Sequence, residues 1–148
     1  MKKSTAVTAS RNFLDEVWTD EPPTIPRLIE LLDRLLVSYH DTEHTKAPYH
    51  ELVPPERDWK AVYTQAGKRF PDLGLYPITE PAEEGSVSLM MGDAIADIAD
   101  ITTHLRETVW YAENRSNEYA EAYFRGFYFH WGQHARELLL LLHRIQTA

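Results

Sequence analysis

Apolar residues recur along most of the chain at spacings of three and four, the period of a helix with one buried face. The pattern predicts five helices. A short one over about Ser10–Thr19 sets Phe13, Leu14, Val17 and Trp18 on one side. A second, over about Ile25–His40, carries the stripe Leu28, Leu31, Leu32, Leu35, Leu36 and Tyr39. Pro26 sits in its first turn, where a missing N–H does no harm. A third, over about Glu56–Phe70, follows Pro54-Pro55, presents Trp59, Val62, Tyr63 and Ala66, and is stopped by Pro71. A fourth spans about Ser88–Ala112, with Ser86 or Ser88 as the expected cap. A fifth spans about Asn117–Ile145, on the order of 45 Å at 1.5 Å per residue.

The polar turn Glu113-Asn114-Arg115-Ser116-Asn117 is short, which makes the last two helices antiparallel neighbours. Residues 71–87, punctuated by proline and glycine, read as a loop, and residues 1–9 as a flexible lead. No strand pattern stands out. The aromatic run Tyr123–Trp131 lies inside a longer helical pattern. The expectation is an all-α, single-domain, up-and-down bundle ending in a long hairpin.

Composition narrows the function. The chain has 148 residues, one domain's worth, with a formal charge of −8. Residues 75–148 hold 11 acidic and 5 basic groups. That balance argues against a nucleic-acid partner, which needs a basic face. No secretory signal and no membrane-spanning run is visible, so a cytoplasmic protein without membrane attachment is expected. Cysteine is absent, which removes thiol nucleophiles and cysteine metal sites.

Candidate chemistry gathers on the last two helices. Asp93, Asp97, Asp100 and His104 follow one another at spacings of four, three and four. They therefore share one face of the fourth helix, beside the apolar stripe Ala94, Ile98, Ile101, Leu105 and Val109. Adjacent carboxylates on one face repel unless cations or hydrogen-bond donors meet them. On the fifth helix, His130 and His134 are four apart within the stripe Tyr123, Phe127, Trp131, Leu138 and Leu141. If the hairpin turns near Arg115, Asp100 faces His130, Asp97 lies near His134, and Asp93 lies near Glu137.

Two readings follow. The cluster is either a hydrogen-bonded tie between helices or a divalent metal site with His130, His134, Asp97 and Asp100 as ligands. Sharper motifs are missing. Trp131 stands where a zinc-protease helix carries its glutamate. The Glu-x-x-His pairs of di-iron bundles, a phosphate-binding glycine loop and a nucleophile elbow are absent. Gly126 and Gly132 inside the fifth helix point to close packing. His40 and His44, four apart, read as a solvated helix end, and the four tryptophans read as core. The Leu138–Leu142 run is either buried or an oligomer contact.

Two motifs also resemble the bacterial domain-of-unknown-function family 5063. One is Gly92-Asp93-Ala94-Ile95-Ala96-Asp97-Ile98-Ala99-Asp100-Ile101, similar to Asp-x-x-x-Asp-Ile-x-x-Asp-Leu. The other is His130-Trp131-Gly132-Gln133-His134-Ala135, similar to His-Trp-Gly-x-His-Ala, with a leucine-rich stretch after it. Asp58-Trp59-Lys60-Ala61-Val62-Tyr63 is similar as well, so the resemblance runs from about Ala9 to His143. Ile101 departs from the family's leucine. The resemblance implies a small soluble helical bundle and no particular reaction. Together these observations favour a non-catalytic interaction or regulatory module, with a protein partner or a second copy meeting it near Leu139 and Leu140. The alternative is a metal-dependent hydrolase with Asp93 as base.

Overall fold

The computed structural model describes residues 3–43, 53–79 and 89–148. His44, Ser86, Ser88 and much of the 71–87 loop lie outside them. The architecture is all-α with one small antiparallel ribbon. Helix α1 spans Thr5–Trp18 and is capped by the Ser4 hydroxyl, which accepts from the Val7 N–H. It starts earlier than the apolar pattern predicts, because Ala6, Val7 and Ser10 are all buried. The expected flexible lead is therefore mostly helix. Helix α2 spans Ile25–Tyr39, capped by Thr24, with Pro26 in its first turn. Helix α3 spans Trp59–Arg69, capped by Asp58, with Lys68 and Arg69 in the last turn where they suit the helix dipole.

The ribbon corrects the expected loop. Strand β1, Leu75–Ile78, pairs antiparallel with β2, Met90–Asp93, with Leu75 opposite Asp93 and Tyr76 opposite Gly92. Because residues 90–93 are drawn into this pairing, helix α4 begins at Ala94 and runs to Asn114. Its cap is Asp93, which accepts from the Ile95 and Ala96 N–H groups.

The predicted fifth helix is two. Helix α5 spans Asn117–Gly126 and α6 spans Tyr128–Thr147, so six helices stand among the described residues. Phe127 turns out of helical geometry at φ −103° and ψ 10°. A break leaves carbonyls without intrahelical donors. The Trp131 indole meets one of them, donating to the Phe124 carbonyl at 2.8 Å.

Helix α4 is the centre of the packing, in contact with α1, α3, α5 and α6, while α2 packs on α1 and α6. The core holds Phe13, Leu28, Leu32, Leu35, Ile98, Ile101, Leu105, Phe124, Trp131, Leu138 and Leu142, all fully buried. Each such side chain contributes about 1.5–3 kcal/mol of gross burial energy. Within the leucine run Leu138 and Leu142 are core, whereas Leu140 is 58% exposed. His40 is the C-cap residue of α2. No helix among the described residues is long and apolar enough to cross a membrane.

Candidate metal centre

The acidic stripe of α4 faces α3 and α6, and both bring partners to it. Asp97 is almost fully buried. One of its oxygens, Oδ2, accepts from the Tyr76 hydroxyl on β1. A Cβ on Gly92, directly across the ribbon, would lie 2.6 Å from the Tyr76 ring, so glycine there is what lets the tyrosine reach Asp97. The other oxygen, Oδ1, lies 2.6 Å from His134 Nδ1 on α6. Asp100 is half-buried, and its Oδ1 accepts from the Trp59 indole of α3 at 2.8 Å. Its Oδ2 is 3.1 Å from His134 Nε2. His130 Nε2 is 3.2 Å from the same nitrogen.

Behind His130 runs a further series of contacts. His130 Nδ1 is 2.7 Å from Nε2 of the buried His104. His104 Nδ1 is 3.3 Å from the Tyr123 hydroxyl of α5. Tyr123 donates to Glu107 Oε2. Arg57 holds Glu107 with two hydrogen bonds of 2.7 and 2.6 Å and donates to the Tyr123 oxygen at 3.1 Å.

These contacts determine where the hydrogens sit. Burial and the Glu107 carboxylate raise the Tyr123 pKa, so its one hydrogen stays and points to Glu107. Tyr123 then has only lone pairs for its other neighbours. This favours the hydrogen of His104 on Nδ1, against Arg57 Nη2, which lies 3.4 Å from the same nitrogen and can only donate to it. Burial, with the Arg57 charge beside it, pushes His104 down to about 4, which keeps the ring neutral and Nε2 bare. A bare Nε2 requires the hydrogen on His130 Nδ1. Burial and the His134 charge hold His130 below the ordinary imidazole value, so its Nε2 is bare as well.

On the other side, the Asp97 carboxylate requires a hydrogen on His134 Nδ1. Burial opposes charging His134, but Asp97, Asp100 and Glu137 outweigh it and raise its pKa. A proton on His134 Nε2, facing Asp100 Oδ2 and His130 Nε2, thus fills a place that a cation could take.

His130 Nε2, His134 Nε2 and Asp100 Oδ2 lie within 4.8 Å of one another. Their separations from His134 Nε2, 3.1 and 3.2 Å, approach the edge of about 3.3 Å in a tetrahedron with bonds near 2.05 Å. Each ligand is oriented through its other polar atom: His134 by Asp97, His130 by His104, Asp100 by Trp59. Such outer partners fix ring orientation and ligand basicity at metal sites. A second group within 4.8 Å, Asp97, His134 and Glu137, is less suited, because its Asp97–His134 edge is the 2.6 Å hydrogen bond.

Of the residues singled out by sequence, the structure brings together Asp97, Asp100, His130 and His134. Asp97 meets His134 by a 2.6 Å hydrogen bond and is a member of the second group, with His134 and Glu137, and not of the first. Asp93 is elsewhere: it caps α4 and accepts from the Tyr63 hydroxyl at 2.7 Å. Trp131 is core. Gly132 reflects packing, since a Cβ there would lie 2.7 Å from the Tyr128 ring. Tyr76, Trp59, Arg57, Glu107 and Tyr123 were not anticipated as site residues. Glu107 extends the spacing of the α4 stripe by three and Tyr123 lies two turns before His130, so both were within reach of a helical wheel. Arg57 and Tyr76 come from non-helical segments with no local signal.

No family model matches the chain, and no curated protein matches it. A crystal structure of protein BF1032 from Bacteroides fragilis, a structural-genomics target, is similar in fold. Its TM-score is 0.65 at 15% identity, covering 95% of this chain and 89% of that one. At that identity the likeness shows the fold alone.

Proposed function

We propose that the chain is a metal-binding protein holding one divalent ion on Asp100, His130 and His134, and that its chemistry is metal-dependent hydrolysis. The observation that carries the reading is the convergence of two bare or exchangeable Nε2 lone pairs and one carboxylate oxygen, each ligand pinned through its other polar atom. Two imidazoles and a carboxylate suit zinc, iron or manganese. Three protein ligands leave a coordination position open, the arrangement of catalytic rather than structural zinc. His134 and Asp100 keep 23% and 22% side-chain exposure, so that position is reachable from solvent. A divalent ion there would supply Lewis acidity and a water acidic enough to act as nucleophile near neutral pH.

A groove of about 460 Å³ lined by Phe129, Gln133, Arg136, Glu137 and Leu140 lies along the same helix α6, and its Glu137 also belongs to the second group with Asp97 and His134. Kinship with family 5063 belongs to the same proposal, since its two motifs supply the two halves of the site.

The test is titration of chelator-treated protein with Zn²⁺, Co²⁺ and Mn²⁺, followed by assays on phosphoester and carboxyl-ester substrates with the loaded protein. One equivalent of tightly held ion, lost in the His130→Ala/His134→Ala variant, is the expected result. Failure of the wild type to take up any of the three overturns the reading.

One observation favours a second reading, the helix tie. Among the described residues no buried side-chain nitrogen or oxygen lacks a hydrogen-bond partner, so the network closes without an ion. Under that reading the wild type binds nothing, and the double variant shows only a lower melting temperature.

A further inference from the structure

The contacts behind His130 reach, two hydrogen bonds away through His104, Tyr123 and Arg57, and these two make opposite demands on His104. Tyr123 Oη lies 3.3 Å from His104 Nδ1 and can only accept there, because its hydrogen goes to Glu107. Arg57 Nη2 lies 3.4 Å from the same Nδ1 and can only donate. The ring has one hydrogen to place, so it can satisfy one neighbour and not the other. Arg57 has other acceptors, the Glu107 carboxylate at 2.6 Å and Tyr123 Oη at 3.1 Å, and this tips the choice to Tyr123.

We propose that Tyr123 is a positioning residue for the metal centre: by accepting from His104 it fixes which nitrogen of His130 is bare. The proposal deepens the metal reading and rests on it for its consequence, but the direction of the relay is a property of the chain itself. With Tyr123 in place the hydrogens run outward, from His130 Nδ1 to His104 Nε2 and from His104 Nδ1 to Tyr123. Remove the tyrosine oxygen and Arg57 becomes the polar partner left at His104 Nδ1. The ring then accepts from Arg57, moves its hydrogen to Nε2, and donates to His130 Nδ1. His130 must in turn carry its hydrogen on Nε2, on the atom that would ligate the ion. No group changes charge. Two neutral rings change tautomer, and the ligand is blocked from two hydrogen bonds away. Tyr123 is held for this role by ring contacts with Tyr111 and Phe127 at centroid distances of 5.1 and 4.8 Å, so it is anchored in packing as well as by Glu107.

Long-range ¹H–¹⁵N NMR of the histidine rings reads the tautomers directly. In metal-free wild type His104 is expected in the Nδ1–H form. In Tyr123→Phe it is expected in the Nε2–H form, with Zn²⁺ affinity reduced about tenfold or more, the range seen when an outer-sphere partner is lost. Adding Arg57→Met to Tyr123→Phe removes the competing donor and should recover part of the affinity, which a merely structural role for Tyr123 would not produce. An Nε2–H His104 in wild type overturns the proposal without any variant having to fold. So does a Tyr123→Phe protein that keeps both the wild-type tautomer and the wild-type affinity. A wild type that shows the inferred tautomers, and the switch on Tyr123→Phe, but takes up no ion supports the relay and defeats the metal reading alone.

Discussion

Glu107 sits at the outer end of the relay, where two opposed effects set its proton affinity. Burial alone would raise its pKa; the hydrogen bonds from Arg57 and Tyr123, with the Arg57 charge, outweigh burial and hold it below the ordinary glutamate value of 4.5. A carboxylate whose folded pKa lies below its unfolded one contributes stability above the unfolded value and loses it as pH falls through the folded value. The neutral Glu107→Gln variant lacks that contribution. It is expected to be less stable than wild type at neutral pH, with the gap narrowing as pH falls from about 4.5 through the lowered folded value. Urea denaturation at several pH values measures this; a gap that stays constant across the range would contradict the assignment. At this scale the sequence is only partly informative. The spacing of Asp97, Asp100 and His104 shows that they share a face, and the position of His134 two helices later fits them. Which carboxylate would ligate an ion and which would orient His134 is not visible there, because it depends on Tyr76 and Trp59, whose hydroxyl and indole arrive from segments distant in the chain.

The helix pattern was legible wherever one face is buried and the other wet. Leu28, Leu31, Leu32, Leu35 and Leu36 mark α2 unambiguously, and all five are buried. Legibility failed where a long-range partner decides the local structure. Residues 75–78 and 90–93 contain Pro77 and Gly92, poor strand residues, and they pair only because each finds the other across an intervening segment. The break at Phe127 is similar in kind. Nothing in its neighbours' spacing forbids a continuous helix, but the Trp131 indole satisfies the Phe124 carbonyl that a break exposes. The two glycines around this break separate the roles that sequence alone merges. An added Cβ at Gly126 meets nothing within 4 Å, while at Gly132 it meets the Tyr128 ring at 2.7 Å. Tyr128 cannot withdraw easily, because its ring stacks on Tyr39 at 3.7 Å. Gly126→Ala should be neutral or stabilising by less than about 1 kcal/mol, and Gly132→Ala destabilising by about 1–3 kcal/mol through overpacking. Chemical denaturation of the two variants decides it; equal effects would mean that the α5–α6 junction does not depend on the packing described.

For the whole molecule, the site joins what the core alone would leave as neighbours. Asp100 belongs to α4, His130 and His134 to α6, and Trp59, which holds Asp100, to α3. An ion bound there cross-links α4 to α6 and is retained only while all three helices are packed. The all-helical architecture was readable from periodicity because it rests on apolar stripes, and the meeting of Asp97 with His134 followed from a hairpin turn near Arg115; the part played by α3 was not readable, since Trp59 reaches Asp100 from a helix distant in the chain. Binding that requires the native state stabilises it by RT ln(1 + [L]/Kd), about 2.7 kcal/mol at a hundredfold excess over Kd. For a domain of this length that corresponds to a rise in melting temperature on the order of 10 °C. Zn²⁺ at that excess should therefore raise the melting temperature of the chelator-treated wild type by that order, and a chelator should reverse it. His130→Ala should abolish the rise, because two remaining ligands cannot hold the ion against free water. A Trp59→Phe protein should keep a diminished one, because its ligands are intact and only the orientation of Asp100 is loosened. A rise of equal size in His130→Ala would place the ion elsewhere on this acidic surface, and no rise in wild type would leave the three helices joined by hydrogen bonds alone.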